Sequence, residues 1–496
     1  MKKYSKSIIK LLLSVTIPLA TTSCEDFLSK KDPSNFNDGN YYTLPAHAES
    51  AITAIYADLS PIVSGAWMMT EFQTGTANTE LGDPPNYLIR NLTNSADNSY
   101  SKVYWDSHYR GIANANVAIS RIPGIDMDSN KKNQLIGQAK FLRAYFYFNL
   151  VRIFGEVPLI ENSIDLASPN LYPDKASYEN LYAFIVKDLT DAEASGLPFK
   201  DESGRVSLGA VKSLLSTVYL TMAGYPLKKG TEYYRLSQEK AAEVIASNQF
   251  QLFPDYNSLH NKSTDNKGEH IFMIQFNELE QPSNAVQSAI VPYKRNISLF
   301  SSEIGAIYAQ KEFIETYDPN DKRIREKEFF YTNFTLVADR TKSINLGGHF
   351  IYKFFDYEAH TSKIRTGLNW PVIRFAEVLL NYAEASNELS GPTAAAYSSL
   401  NQIRTRAELS DRANLNQNQL REAIWEERLH ELCFENKVWF DMVRTQKAYN
   451  FADKSFSDYV GHKFSYGPVL SERELLFPIP SAEIRNNPKL SQNKGY

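Results

Sequence analysis

Cysteine is almost missing from this chain: 496 residues contain two, Cys24 and Cys433. A disulfide scaffold is thereby excluded, and packing must hold the fold. Charge of one sign is missing too. Lys and Arg number 53 against 57 Asp and Glu, for a formal net charge of −4. That balance gives a nucleic-acid partner no electrostatic support. Beyond the N-terminus no run of about eighteen apolar residues occurs, so no later segment reads as a membrane-spanning helix. Catalytic signatures are lacking as well. His47, His108, His260, His270, His349, His360, His430 and His462 are scattered, with no HExxH or other close metal pair. No GxSxG elbow, phosphate-binding glycine loop or dinucleotide fingerprint occurs. These absences predict a chain with no metal, no cofactor and no catalytic activity.

What is present begins at the N-terminus. Lys2, Lys3 and Lys10 flank a mostly apolar run from Ile8 to Ala20, and Thr21, Thr22 and Ser23 lead into Cys24. The segment has the layout of a bacterial lipoprotein signal, although Thr21 stands where an aliphatic residue is usual. It predicts removal of residues 1–23 and acylation of Cys24, with each buried methylene contributing roughly 0.8 kcal/mol to membrane attachment. Aromatic residues make up 13% of the chain, with 30 Tyr, 28 Phe and 5 Trp. They serve a core or a surface that stacks on flat ligand faces equally well.

Residues 24–43 are polar and read as a tether with an extended lead-in. Helical periodicity dominates afterwards. It appears at Ala48–Leu59, Tyr104–Ile122, Lys131–Phe154, Tyr178–Ala194, Leu208–Gly224, Ser237–Ser247, Val372–Leu389, Ala394–Leu409 and Leu420–Arg444. Adjacent pairs of these suggest a tetratricopeptide-like stack, with no strict 34-residue repeat. Residues 61–103 and 254–370 interrupt the pattern. The second insertion carries β-like runs at His270–Phe276, Phe329–Val337 and Phe350–Phe355. Insertions of that length in a compact protein are commonly functional, and their aromatic content argues against disorder.

Two charged clusters stand out. Arg374, Glu377, Glu384 and Glu388 share one predicted helix, and Glu422, Glu426, Glu427, Glu431 and Glu435 alternate with Arg421, Arg428 and Arg444 on another. Carboxylates along one helix face cannot flank a glycosidic bond at the 5–9 Å that hydrolysis needs. The first cluster reads as structural ion pairing, with Arg374 and Glu377 as i, i+3 neighbours, and the second as helix-to-helix salt bridging and solvation. Asp318, Asn320 and Asp321 read as a turn rather than a calcium loop. Cys433 reads as a small core residue on an apolar helix stripe.

Several blocks carry a family resemblance. GQAKFLRAYFYFNLVRIFGEVPLIEN (137–162) resembles a signature of the SusD/RagB outer-membrane lipoproteins. In that family's order come YRGIANANVAISRIP (109–123), GRVSLGAVKSLLSTVYL (204–220), YDPNDKR (317–323), WPVIRFAEVLLNYAEASNEL (370–389), LNQIRTRAEL (400–409), AIWEERLHELCFENKVWFDMVR (423–444) and LFPIPSAEIRNNPKLSQNKGY (476–496). One departure is Arg428-Leu429, where the family usually has two arginines; it bears on an internal ion pair.

The resemblance implies a mainly α fold: a right-handed superhelix of tetratricopeptide-like helix pairs with irregular loop and short-strand insertions. A helical region at 44–250 and a C-terminal region at 251–496 would pack as one unit. It implies a lipid-anchored outer-membrane protein facing outward, with Glu25-Asp26 resembling the export signal. Its partner would be a SusC-type TonB-dependent transporter, and its cargo an oligosaccharide. Peptide cargo is the alternative, favoured by a wide groove without an exposed Trp platform. A lipid-anchored glycoside hydrolase is the third reading, and it requires two convergent carboxyls.

For glycan contact the candidates are Trp67, Asp83, Asn86 and Tyr87 in the first insertion. An indole among amides and carboxylates suits a pyranose, whose C–H face stacks while its hydroxyls hydrogen-bond. Family practice adds Tyr293, Phe300 and Tyr331 from the second insertion. Trp105 is expected in the core, and Trp370, Trp425 and Trp439 in the core or a groove wall.

Overall fold

The structure is a computed structural model that describes residues 42–496 except 64–66, 81–83, 164–170, 279–283, 285, 300–301 and 362–365. Cys24, Asp83 and Phe300 lie outside the described residues. The main helices are α1 (Pro45–Ala57), α2 (Ser99–Arg121), α3 (Ser129–Phe154), α4 (Tyr178–Glu193), α5 (Leu208–Ala223), α6 (Thr231–Ala246), α7 (Phe375–Ser390), α8 (Ala394–Arg406), α9 (Gln417–Glu431) and α10 (Val438–Thr445).

Each helix from α2 to α6 packs on the next, α6 packs on α7, and α7 carries both α8 and α9. The stack therefore continues across the insertion that separates α6 from α7 in sequence. The fold is mainly helical, with tetratricopeptide-like pairs and short-strand insertions.

Helix α3 shows why these residues form these elements. Asp128 caps it by accepting from the Lys131 N–H at 2.8 Å, a contact worth about 1 kcal/mol. Leu135, Ala139, Leu142, Phe146, Leu150 and Ile153 are fully buried along it; sealing each large side chain from water contributes roughly 1.5–3 kcal/mol. The helix ends at Gly155, whose φ is +75°. A Cβ there would meet the Tyr178 hydroxyl at 2.7 Å, so only glycine allows that close a turn.

Eight strands are described: β1 (Ala77–Asn78), β2 (His270–Ile274), β3 (Tyr308–Ala309), β4 (Phe330–Thr335), β5 (Ser343–Ile351), β6 (Trp370–Arg374), β7 (Lys447–Asn450) and β8 (Ser455–Asp458). They form a four-stranded sheet in the order β1-β3-β5-β4 and two antiparallel pairs, β2-β6 and β7-β8. The first sheet joins the two insertions, pairing Ala77 with Ala309 and Ala309 with His349.

Two expected helices differ. The run predicted as helix from Val372 starts at Phe375, because Trp370–Arg374 pairs with β2 as a fully buried strand. The run Leu420–Arg444 breaks between α9 and α10, where Phe434 and Asn436 adopt positive φ. Cys433 sits in that break rather than on a helix stripe. It is buried, and burial pushes its thiol pKa up to about 11, so it remains a neutral core group.

At the centre lies a lattice of buried ions. Arg374 grips both oxygens of Glu435 at 2.7 and 2.8 Å and reaches Glu431 at 3.2 Å, while also pairing with Glu269. Arg406 joins Glu431 at 2.7 Å, and Arg323 and Arg404 hold Glu427 at 2.7 and 3.0 Å. Burial pushes the Glu435 carboxyl pKa up, but Arg374 and Lys353 outweigh it and hold it at about 2. Glu384 is clasped by Arg444, Glu388 by Arg421 and Glu377 by Lys437. The charged clusters are thus structural: Arg374 and Glu377 each pair with a distant segment rather than with one another, while Arg444 also pairs with Asp441 three residues before it. Arg428 pairs with Asp441 at 2.8 Å and donates to Asn381. Leu429 packs in the core.

Candidate functional site

The two insertions meet at one carboxylate. Glu80 accepts the Tyr293 N–H at 2.7 Å on one oxygen and the Arg295 guanidinium at 2.9 Å on the other. Its own N–H donates to the Gly305 carbonyl at 3.0 Å. Gly305 has φ +59°, and a Cβ there would lie 2.8 Å from both Glu80 Oε2 and the Tyr293 nitrogen. A glycine is required for this approach.

The short helix Pro84–Arg90 stands beside that junction. Its one face turns inward: Asn86 is buried and directs its amide toward the Ala306 carbonyl at 3.5 Å. The other presents Tyr87, which is 55% exposed. Arg90 locks the helix from below, donating to the Ala77 carbonyl at 3.3 Å and Gln310 at 3.1 Å, with its guanidinium 3.7 Å from the Tyr466 ring centre.

On the second insertion, Glu303 gathers the backbone N–H groups of Asn296, Ile297 and Ser298. The loop carrying half-buried Tyr293 is thereby fixed, with the Lys294 ammonium 4.8 Å from the Tyr293 ring. Half-buried Tyr308 stacks on Phe350 at 5.1 Å, and burial raises its hydroxyl pKa. It remains a protonated donor at neutral pH. These segments therefore offer partly exposed tyrosine rings beside fixed cations.

Three predicted contacts need correction. Trp67 is 1% exposed, its indole against Trp370 at 5.3 Å and Phe354 at 6.3 Å. Its carbonyl and Thr70 hold the Asn436 side chain. The ring is a core plug with no free face for a sugar. Tyr331 is 0% exposed among Phe334, Phe350, Tyr352 and Phe355, and its hydroxyl donates to the Ile290 carbonyl at 3.3 Å. Asn86 is buried as a structural tie. Tyr87 and Tyr293 are the described candidates that keep an accessible surface. Trp105, Trp370 and Trp439 are buried and Trp425 is half-buried.

Sequence reasoning did not single out Arg90, Arg295 or Tyr308. Their roles depend on β1 meeting β3 across some 230 residues of chain, a pairing with no local signal. No group of three or more potential metal ligands occurs among the described residues. Asp318 instead accepts the Asn320 N–H, and Asp321 pairs with Arg323.

A stack of paired helices bearing a ring-lined insertion face defines the class of a binding scaffold. The chain belongs to the SusD family: the SusD family model matches residues 243–496, and a second model, described as starch-binding and associating with the outer membrane, matches residues 26–220. The description of the second model associates the chain with the outer membrane. A SusD-like protein, P2, of Formosa agariphila is 27% identical over the full length of both chains. A SusD superfamily protein of Parabacteroides distasonis superposes with a TM-score of 0.88 at 37% identity, covering 91% of this chain and 99% of its own. Surface glycan-binding protein A of Bacteroides thetaiotaomicron, solved with laminarihexaose, has a TM-score of 0.74 at 22% identity, covering 91% of this chain and 100% of its own.

Proposed function

We propose that the chain captures oligosaccharides on the face built from Tyr87, Tyr293 and their fixed polar neighbours, and delivers them to a SusC-type TonB-dependent transporter. Acyl chains on Cys24 would hold it on the outer membrane, facing outward. The observation that supports this reading is the Glu80 junction, which ties the Tyr293 loop to the first insertion, where Tyr87 stays exposed. Ring faces with nearby donors suit sugars, and several weak contacts permit release as well as capture. The laminarihexaose complex of a protein with the same fold supports a glycan as cargo.

Peptide capture is the second reading. It is favoured by the lack of an exposed Trp among the described residues. A titration panel of neutral oligosaccharides and mixed peptides separates the two: glycan capture predicts saturable sugar binding without release of shorter products, and binding of peptides alone would overturn it. For the anchor, Cys24→Ala should move the protein from the membrane pellet to the soluble fraction.

A further inference from the structure

A second cleft, of about 380 Å³, opens elsewhere on the later insertion. One wall consists of consecutive turns carrying Asn257, His260, Asn261 and Lys262; the other is the segment Tyr352–Glu358, which meets it over Leu368. The Lys262 ammonium bridges the walls, 2.9 Å from Asp356, 3.4 Å from Glu278 and 3.9 Å from Glu358. Asp356 is braced in turn by the Thr366 hydroxyl, and its own N–H donates to Gln287 at 2.8 Å. The rings of Tyr352 and Phe355 lie parallel at 5.1 Å. At the rim Tyr357 is 49% exposed. Neither nitrogen of His260 finds a hydrogen-bond partner.

This cleft is tied to the first site through the chain. The Leu299 N–H donates to the His360 carbonyl at 3.0 Å, and the His360 ring meets the Ser298 hydroxyl at 3.2 Å. The short helix starting at Tyr357 is thereby docked on the same loop that Glu303 fixes beneath Tyr293. Leu299, 57% exposed, lies on that loop between the two.

We infer that the cleft is a second carbohydrate subsite, taking a neutral stretch of the same glycan that Tyr87 and Tyr293 hold. The inference rests on the capture reading above. Its chemistry is that of hydroxyl recognition. A lysine and carboxylates held at fixed distances donate to and accept from neighbouring hydroxyls, while an exposed ring covers a sugar's C–H face. One cation stands among three carboxylates, so a uronate or sulfate would meet like charge, and a neutral sugar would not. A two-subsite surface favours long chains over short ones, because the second contact forms at high effective concentration.

The test titrates the full chain with laminarin, amylose, xylan and mannan, with their trisaccharides, and with polygalacturonate. Tyr357→Ala, at an exposed position, should weaken the preferred neutral polysaccharide about fivefold without lowering the melting temperature. Lys262→Met should act in the same direction, and polygalacturonate should bind more weakly than the neutral polymer. If Tyr87→Ala weakens the polysaccharide and both cleft variants bind it like the parent chain, the subsite is overturned and the capture reading stands. If the parent chain binds no glycan, both fall. Polygalacturonate binding as tight as the neutral polymer would overturn the charge selection.

Discussion

The ion lattice at the centre and the insertion face at the surface use the same side chains for opposite ends. In the lattice, Arg374, Arg406 and Arg323 are buried, each shares two or more carboxylates, and several carboxylates take more than one cation. On the face, Arg295 meets one carboxylate among the described residues, Glu80, and is 41% exposed along its side chain. Low dielectric makes each central charge indispensable once buried; water makes the peripheral pair cheap to break. The lattice therefore fixes where the helices sit, while the face keeps rings and donors available to a partner.

The sharpest way to break this contrast is Arg374→Met. Removing that guanidinium leaves Glu269, Glu431 and Glu435 short of a cation in the core, and a loss of about 3–5 kcal/mol follows. Denaturant unfolding should shift accordingly; an unchanged midpoint would mean the lattice is not structural. Trp67→Ala comes next. A buried indole leaves a cavity, at a cost of about 3–5 kcal/mol in stability, and residual folded protein should still bind glycan. Lost affinity with full stability would return Trp67 to the site.

Acid should probe the lattice more gently. Glu435 has its folded pKa held near 2, below the ordinary value of 4.5. Its contribution is fully present above pH 4.5 and is lost as pH falls toward 2. Glu435→Gln should lower stability at neutral pH and flatten that acid limb; an unaltered limb would assign acid sensitivity elsewhere. Smallest is Arg295→Ala, where an exposed pair is worth about 0–1 kcal/mol. Thermal unfolding should barely move, and a large drop would erase the distinction between the two regions.

Much of the scaffold was legible in the sequence because helix periodicity and caps are local. Ser177, Ser207 and Asn416 each accept from an N–H three residues on, which marks helix starts within a turn. The failures are non-local. Trp67 reads as a loop aromatic because its packing partners, Phe354 and Trp370, arrive some 300 residues later. Strand β6 reads as the first turn of α7 until β2 pairs with it. Breaks in helical periodicity set residues 61–103 and 254–370 apart from the helix pairs. Which tyrosines stay exposed there depends on packing between segments far apart in the chain, and no spacing in the letters reports it.

The most direct measurement is calorimetric titration of the double variant Tyr87→Ala/Tyr293→Ala against the glycan that the parent chain prefers. Two lost ring contacts should weaken binding roughly tenfold or more while the melting temperature stays within about a degree. Unchanged affinity in a fully folded variant would contradict capture on this face.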